Sequence, residues 1–581
     1  MKKFYLALLS LLAIVPTLRA VEPSGTLPVL VIETKNRQPI VSKEEYLEGT
    51  YYLDPRGCEG VEAFGSAESP LPLQIKGRGN WTWTFNKKPY RLKLDDKAAL
   101  LGMNKSKHFA LLAHADDNRA FMRNATGFEV SRMSGLPWTP ADKPCEVILN
   151  GDYIGLYFLT ETIRFDKKRV NMTNPDDTVD DWLAENPDKT ADDYPFTDED
   201  YTGAWLVEFD NYTDPCQVVV NSRQSEETEL WITYKSPEDY VTNAHREWLK
   251  NEFDAIDELI YADNHADGAW LDKIDLTDAA RFFVVNQIMN NTESYHGSCY
   301  LVKDKGADQK WHFGPVWDFG SSFVPSTDVS NWIWNSVYTQ HWIKSMYDCP
   351  AFQAEVKRIF ELMDAEGFDR IFNYQNEYAA RITEAAKRDA ERWQGDGYGN
   401  ADMETPLNEV QKQLQNAIYN FGYKLGVAGY ENPPVDIYLR GTDVGNWDTI
   451  NKYLFTATED GLYELFVEHL SGEFKIADKS WNEVNLGSNS NSIKINEAYQ
   501  LVSVGPNLTL ADGSADNVKL ILDLENSLLT VTDKTGTKLV VVSAEEGVEY
   551  YNLQGMRVTS PRSGEIYIMK TPKGTTKTLY R

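Results

Sequence analysis

Between Leu27 and about Asp95 the apolar residues come in short alternating or continuous runs, LPVLVIET, TYYLDP, LPLQIKG and KPYRLKL, each broken by Gly, Pro or Asn. Period-two runs bounded by turn formers predict strands. The period changes at RAFMRNATGFEVSRM, where Phe121, Ala125, Phe128 and Met133 fall on or near one face of a helix. In CEVILNGDYIGLYFLTE two apolar runs flank Asn150-Gly151. That dipeptide tolerates the positive φ angles of a two-residue turn, so a hairpin is predicted. Strands around a single helix, leaving through Glu161, make an α+β lobe.

The middle of the chain reads differently. DDTVDDWLAENPDKTADDYPFTDED is acidic and poor in apolar residues, and is expected to be a solvated loop. Beyond it, Leu249, Phe253, Ile256 and Ile260 share one helical face, as do Val356, Ile359, Phe360 and Met363. LTDAARFFVVNQIMN runs straight into NTESYHGSCY, and helices continue to about Val427. A Pro-Pro break in YENPPVDIYLRG marks a boundary near Asn432, after which DIYLRGTDVGNW, GLYELFVEHLSGEFKIADKSW, VKLILDL and LLTVT return to strands. The last forty or so residues predict a short β-module. The expected class is therefore α+β: a strand-rich lobe, a helix-rich lobe and then all-β modules.

Composition adds location and excludes partners. The opening MKKFYLALLSLLAIVPTLRA carries Lys2 and Lys3 before an apolar run and ends on Ala20, the pattern of a signal peptide over residues 1–20. A secreted or cell-surface protein with no transmembrane segment is expected. Without Lys2, Lys3 and Arg19 the formal charge moves from −30 to −33. Such a body repels nucleic acid and is suited to divalent cations. Cys58, Cys145, Cys216, Cys299 and Cys349 are scattered without a C-x-x-C pair, so no zinc site is indicated and at most two disulfides are expected.

Candidate chemistry centres on HFGPVWDFGSSF, where Asp318 ends a strand-like run. Phosphoryl transfer needs cations for phosphate, a carboxylate for Mg²⁺, a second carboxylate near the acceptor hydroxyl and further oxygen ligands for the metal. Arg91 or Lys93, on the polar face of KKPYRLKL, Asp318, Glu293, and Ser298 or Asn291 can fill those roles in that order. Gly77 and Gly79 in KGRGNWTW offer backbone for close approach to a phosphate. Each residue taken alone has an ordinary role as turn, cap or wet strand face.

The ordered set LQIKGRGNWTW, KKPYRLKL, RAFMRNATGFEVSRM, GAWLVEFDNY, ITYKSPEDY and GPVWDFGSSF resembles the CotH kinase family, the spore-coat protein H type of atypical protein kinase, over roughly Leu27 to Val427. The resemblance implies a two-lobed protein-kinase-like fold over residues 21–430. It also implies ATP with Mg²⁺ or Mn²⁺ as cofactors, and transfer of the γ-phosphoryl group to Ser or Thr of a secreted or surface protein. It implies phosphate contact by Lys88, Arg91 and Lys93, a Glu129 that orients one of those cations, Glu161 where the lobes join, Asp318 on metal and Glu293 as base. Two departures stand out. The family's W-D-x-[DN] ends here in Gly320, which lacks an oxygen ligand, and Glu293 replaces the usual Asp, moving its carboxylate by about 1.5 Å, a shift that left uncompensated costs a factor of about 100 in rate. A catalytically inactive scaffold that binds surface glycan or protein is the alternative.

DIYLRGTDVGNW through KSWNEVNLG resembles the starch-binding-like β-sandwich modules of SusE and SusF type proteins, over residues 435–535. That implies glycan contact by Trp447 and Trp481 with Lys475 and Asn482 as hydrogen-bonding groups; the competing place for both tryptophans is the sandwich core. EYYNLQGMRVTSPRSGEIYIMK, within residues 540–581, resembles the C-terminal sorting tails of secreted Bacteroidetes proteins.

Overall fold

In the computed structural model the alternating runs at the start of the chain become strands that close on themselves: β1 (Val29–Thr34), β2 (Leu47–Asp54), β3 (Leu71–Gly77), β4 (Tyr90–Ala98), β5 (Ser106–Leu112), then β6 (Asp142–Leu149) and β7 (Asp152–Glu161). Residues 21–533 are described, except 116, 118–119, 225–227, 325–327, 399–400, 431–434, 459–461, 480, 482 and 491, together with strands within 549–579. The signal-peptide expectation for residues 1–20, the Pro-Pro break at 433–434 and the Asn482 expectation lie outside the described residues.

The order β1-β2-β3-β4-β5-β7-β6 forms a closed barrel, because β6 returns parallel to β1 with Val29 opposite Glu146 and Ile32 opposite Leu149. Alternate residues turn inward and are buried: Leu30, Ile32, Leu73, Ile75, Leu92, Leu94, Phe109 and Leu111 belong to one core. The β6–β7 turn is at Asn150 and Gly151, with φ of 55° and 84°, the left-handed angles that the Asn-Gly dipeptide favours.

Helix α1 (Arg123–Ser134) leaves the barrel after β5. The expected one-sided helix is corrected in two ways: Phe121 precedes it, and ten of its twelve residues are buried. A helix packed on all sides shows no apolar stripe. The acidic stretch expected as a loop is also corrected, being largely helical. It holds α2 (Pro175–Glu185), capped by Asn174, with Asp176 and Asp177 in its first turn, and capping boxes at Thr190/Asp193 and Thr197/Asp200. Acids stabilise helix N-termini by meeting the dipole and the unpaired amides, a placement that charge density does not reveal.

A second sheet, all antiparallel, comprises β8 (Trp205–Asp210), β9 (Gln217–Asn221), β10 (Glu229–Ser236), β11 (Cys299–Lys303) and β12 (His312–Phe313) in the order β12-β11-β8-β10-β9. Around it pack α3 (Asn243–Ile260), α4 (Leu276–Ile288), α5 (Pro350–Glu366), α6 (Asp369–Arg392) and α7 (Glu404–Lys424), sharing a core with the sheet and α1. The predicted faces of α3 and α5 are buried, with Leu249, Phe253, Ile256, Ile260, Val356 and Phe360 at 0 % exposure. All five cysteines are free thiols. Among the described residues no helix is long and apolar enough to cross a membrane.

The chain separates into two compact units between residues 433 and 434. The second contains a four-stranded and a five-stranded sheet whose apolar residues, among them Leu439, Ile476, Val467, Leu520 and Val531, form one core. A separate four-stranded sheet lies within 549–579.

One polar clamp joins barrel to helix. Lys87 Nζ lies 2.8 Å from Asp389 Oδ1 on α6, and both side chains are fully buried. Asp389 also accepts the Leu156 amide of β7 at 2.8 Å, and Gly155 at φ 105° leaves the space its carboxylate fills. Burial pushes the Lys87 pKa down and the Asp389 pKa up, each against the attraction of its partner. Lys87→Met therefore strands a buried carboxylate and should lower the urea stability of this unit by about 3–5 kcal/mol. Lys87→Met with Asp389→Leu should cost less, because what remains is the orphaned Leu156 amide, worth about 1–3 kcal/mol. A double variant as destabilised as the sum of the two singles would remove the case for a coupled pair.

Candidate active site

A cleft of about 950 Å³ opens between the barrel and the second sheet. Its key carboxylate is placed by packing. After β12 the chain passes through Gly314 and Pro315 to Trp317, Asp318 turns it with φ 59°, and Phe319 points inward at 0 % exposure. The Phe319 ring lies on α1 where Gly127 has no side chain; a Cβ there would overlap the ring. Phe128 meets both neighbours, with centroids 6.0 Å from Phe319 and 6.2 Å from Trp317. Backbone on either side is tied down: Phe319 N donates to Asn124 Oδ1 at 2.8 Å, Asn291 Nδ2 donates to Asp318 O at 3.1 Å, and Arg123 donates to Gly320 O. The Asp318 carboxylate stays exposed, with Oδ1 accepting the Gly320 amide at 2.9 Å in an Asx-type turn.

Glu293 follows α4 in a tight turn, its carbonyl accepting from His296 and Gly297. Its carboxylate is half-buried and held from two sides, by Asn211 Nδ2 at 3.2 Å and by Ser321 Oγ at 2.6 Å. Gly297 leaves room for Asn211, since a Cβ there would come within 3.0 Å of its amide nitrogen.

The expected residues divide into two groups. Arg91, Glu293, Ser298 and Asp318 line the same cleft, whereas Lys88, Lys93, Glu129, Glu161 and Asn291 do not. Lys88 Nζ turns to Trp83 O at 2.6 Å and over its ring, and Lys93 is exposed two residues beyond Arg91. The orienting role expected of Glu129 is corrected: it pairs with Arg132 and with Arg370 of α6 at 2.9 and 2.8 Å. Glu161 is buried behind the cleft wall, accepting the Ala141 amide at 3.1 Å, while the following Thr162 and Ile163 reach the cleft. Asn291 is buried and serves Asp318 through its backbone, with its own Oδ1 unpartnered. Gly77 is glycine for the Trp83 ring that a Cβ would overlap, so phosphate approach is not its reason; Gly79 does line the cleft.

Several cleft residues went unread. Lys87, one position before Lys88, lines it, as does Arg78, which sits between the two noted glycines and stacks 5.5 Å from the Trp317 ring. Period two on β8 puts Glu208 and Asp210 on the cleft, and on β10 Lys235 lies 3.1 and 4.0 Å from them. Burial opposes the Lys235 charge, yet the two carboxylates outweigh it and hold its pKa above that of an ordinary lysine; burial raises the pKa of Glu208 against the attraction of Lys235. The alternation of WLVEFD and ITYKS carried this signal, but neither says which face meets a ligand.

The donor set fits a divalent cation of the Mg²⁺ kind. Asp318 is exposed, and among the described residues it makes no ion pair and no three carboxylate, His or Cys ligand atoms of the cleft lie within 4.8 Å of one another. One or two carboxylates completed by phosphate and water is how Mg²⁺ is commonly held. In the second unit Trp447 and Trp481 lie outside the core, both half-buried, with centroids 6.2 Å apart. Arg440 stacks 4.0 Å from the Trp481 ring and donates to Trp447 O and Asp478 O at 2.7 and 2.8 Å, fixing both loops. Lys475 lies 6.0 Å from the Trp481 ring.

A family described as CotH kinase protein matches residues 75–420, more than half of the chain. The chain belongs to the CotH kinase family. No curated protein matches it. The family match takes in every cleft residue named above, and Trp447 and Trp481 lie beyond it.

Gly127→Ala tests the packing that sets Asp318 in this CotH kinase family member. Alanine gains up to about 1 kcal/mol of helix propensity, whereas forcing a methyl into the Phe319 ring costs about 1–3 kcal/mol. Net destabilisation in thermal unfolding is expected; a stabilised variant would overturn the close fit.

Proposed function

We propose that the cleft is the active site of a kinase whose barrel and helix-rich part act as its two lobes, and that it moves the γ-phosphoryl group of ATP to a Ser or Thr hydroxyl of a protein. The observation that carries this reading is the meeting in one cleft of an exposed Asp318 and two arginines, Arg78 and Arg91, none of them in an ion pair among the described residues, with a half-buried Glu293 already bonded to a hydroxyl. Asp318 would hold Mg²⁺ or Mn²⁺, which supplies charge neutralisation on the phosphates. Arg78 and Arg91 bind phosphate oxygens; Arg91 Nε is buried without a partner and so has a donor to give. Ala110, Leu112 and Ile163 offer the nucleotide base an apolar wall. Glu293, fixed by Asn211, takes the acceptor's proton.

The acceptor is taken to be a secreted or surface protein, because residues 1–20 have signal-peptide character. The second unit is read as a β-sandwich that tethers the enzyme to glycan through Trp447 and Trp481, whose rings sit together outside the core. The stretch at 540–581 is read as a sorting module. One observation favours an inactive scaffold instead: Gly320 leaves the position two after Asp318 without an oxygen ligand.

Incubating the mature chain with labelled ATP and Mg²⁺ or Mn²⁺ decides between them. Asp318→Ala should abolish metal-dependent nucleotide binding and label transfer, and Glu293→Gln should cut transfer by about 10²–10⁴-fold while nucleotide still binds. Nucleotide affinity unchanged in Asp318→Ala would refute the metal assignment, and no nucleotide binding by the parent chain would favour the scaffold. On a glycan array, Trp481→Ala should weaken retention by roughly three- to tenfold, the worth of about 0.5–1.5 kcal/mol of ring contact. Equal retention would remove the tryptophans from that role.

A further inference from the structure

We infer that Ser321 is an autophosphorylation site that the enzyme modifies in its own cleft. This rests on the kinase reading above and on Glu293 as its base. Ser321 Oγ donates to Glu293 Oε2 at 2.6 Å, within the range a general base needs to the hydroxyl it deprotonates. The distance is also that of a charge-assisted O–H to carboxylate bond, so the proton already points at its acceptor. Ser321 lines the same cleft as Asp318, three residues away, in a loop tied at Phe319 and at the backbone of Asp318 and Gly320. A hydroxyl held in this way competes with a diffusing acceptor at an effective concentration of up to about 10⁵–10⁸ M in well-oriented cases.

In the step, Glu293 takes the Ser321 proton, Oγ bonds to the γ-phosphorus of ATP, and the bond from that phosphorus to the β,γ-bridging oxygen breaks with its electron pair leaving on ADP. Gly320 bears on the outcome. With no acid beside it, the new phosphoserine faces one negative charge fewer than a carboxylate at position 320 would impose. The phosphoserine still adds about −1.5 to −2 charge next to Glu293 and Asp318, which opposes a second nucleotide. Self-modification is thus a brake built into the cleft.

The test incubates the full mature chain with ATP and Mg²⁺, at two protein concentrations tenfold apart, with dephosphorylated casein in parallel, and maps phosphate by tandem mass spectrometry. Expected are close to one phosphate per chain on Ser321, a fractional rate independent of protein concentration, and casein labelling that slows as Ser321 fills. In Ser321→Ala, which also removes one of the two hydrogen bonds on Glu293 and so sets its own initial rate, casein labelling should proceed without slowing, and in Glu293→Gln the Ser321 phosphate should fall by at least about 100-fold. Casein labelling with Ser321 unmodified overturns this inference while leaving the kinase reading intact. A rate that rises with concentration overturns the intramolecular step, and a chain that binds no nucleotide overturns both.

Discussion

Phe319 can be buried where it is because residue 127 of α1 has no side chain, and the position of Asp318 follows from that contact. A positive φ at Asp318 is a strained choice for a residue with a side chain. It is sustained by groups on both sides: the ring in the core, the Phe319 amide on Asn124, the Asp318 carbonyl on Asn291 and the Gly320 carbonyl on Arg123. Helix α1 is itself clamped to α6, through Glu129 to Arg370 and through Thr126 Oγ1, which accepts from Gln375 Nε2 at 2.9 Å. The groups that hold the loop are thus an apolar ring, two amide side chains and a guanidinium already paired with Asp117, while the group they present is an exposed carboxylate.

The cleft shares the acidic balance of the molecule, with Arg78, Lys87, Arg91, Arg123 and Lys235 set among Asp117, Glu208, Asp210, Asp214, Glu238, Glu293 and Asp318. A chain of net −30 is a poor long-range attractor for nucleotide. Of the cleft cations, Lys87 is neutralised by Asp389, Arg123 by Asp117, and Lys235 by Glu208 and Asp210. Among the described residues Arg78 and Arg91 make no ion pair and remain to meet an anion; Arg91 lies on β4, and Arg78 directly follows the neighbouring β3. Local contact and a divalent cation, rather than steering, must then supply affinity, and at physiological salt the field of the distant acids is screened beyond about 8 Å.

In the second unit the tryptophans illustrate how one residue type serves two ends. Apolar character alone would bury them, but the core is filled by aliphatic residues of both sheets together with Phe455 and Phe474, and Arg440 uses its guanidinium to fix the loops and cover one ring. What is left half-exposed is a pair of rings with a buried lysine beside them, whose burial lowers its pKa.

By itself the sequence determined the local features. Strands at β1 to β4, the Asn150-Gly151 turn, the buried faces of α3 and α5, and the carboxylates Asp318 and Glu293 could all be read from patterns a few residues long, because side-chain period and turn chemistry are local properties. Tertiary structure decided what depends on residues distant in sequence. The parallel pairing of β1 with β6 closes the barrel across more than a hundred residues. Lys87 rather than Lys88 turns inward and is fully buried because Asp389, on a helix three hundred residues away, completes its pair. Glu129 joins arginines behind the cleft, Glu208 and Asp210 turn toward it, and Ser321 finds Glu293, since alternation gives a strand two faces and only packing chooses which one meets the ligand.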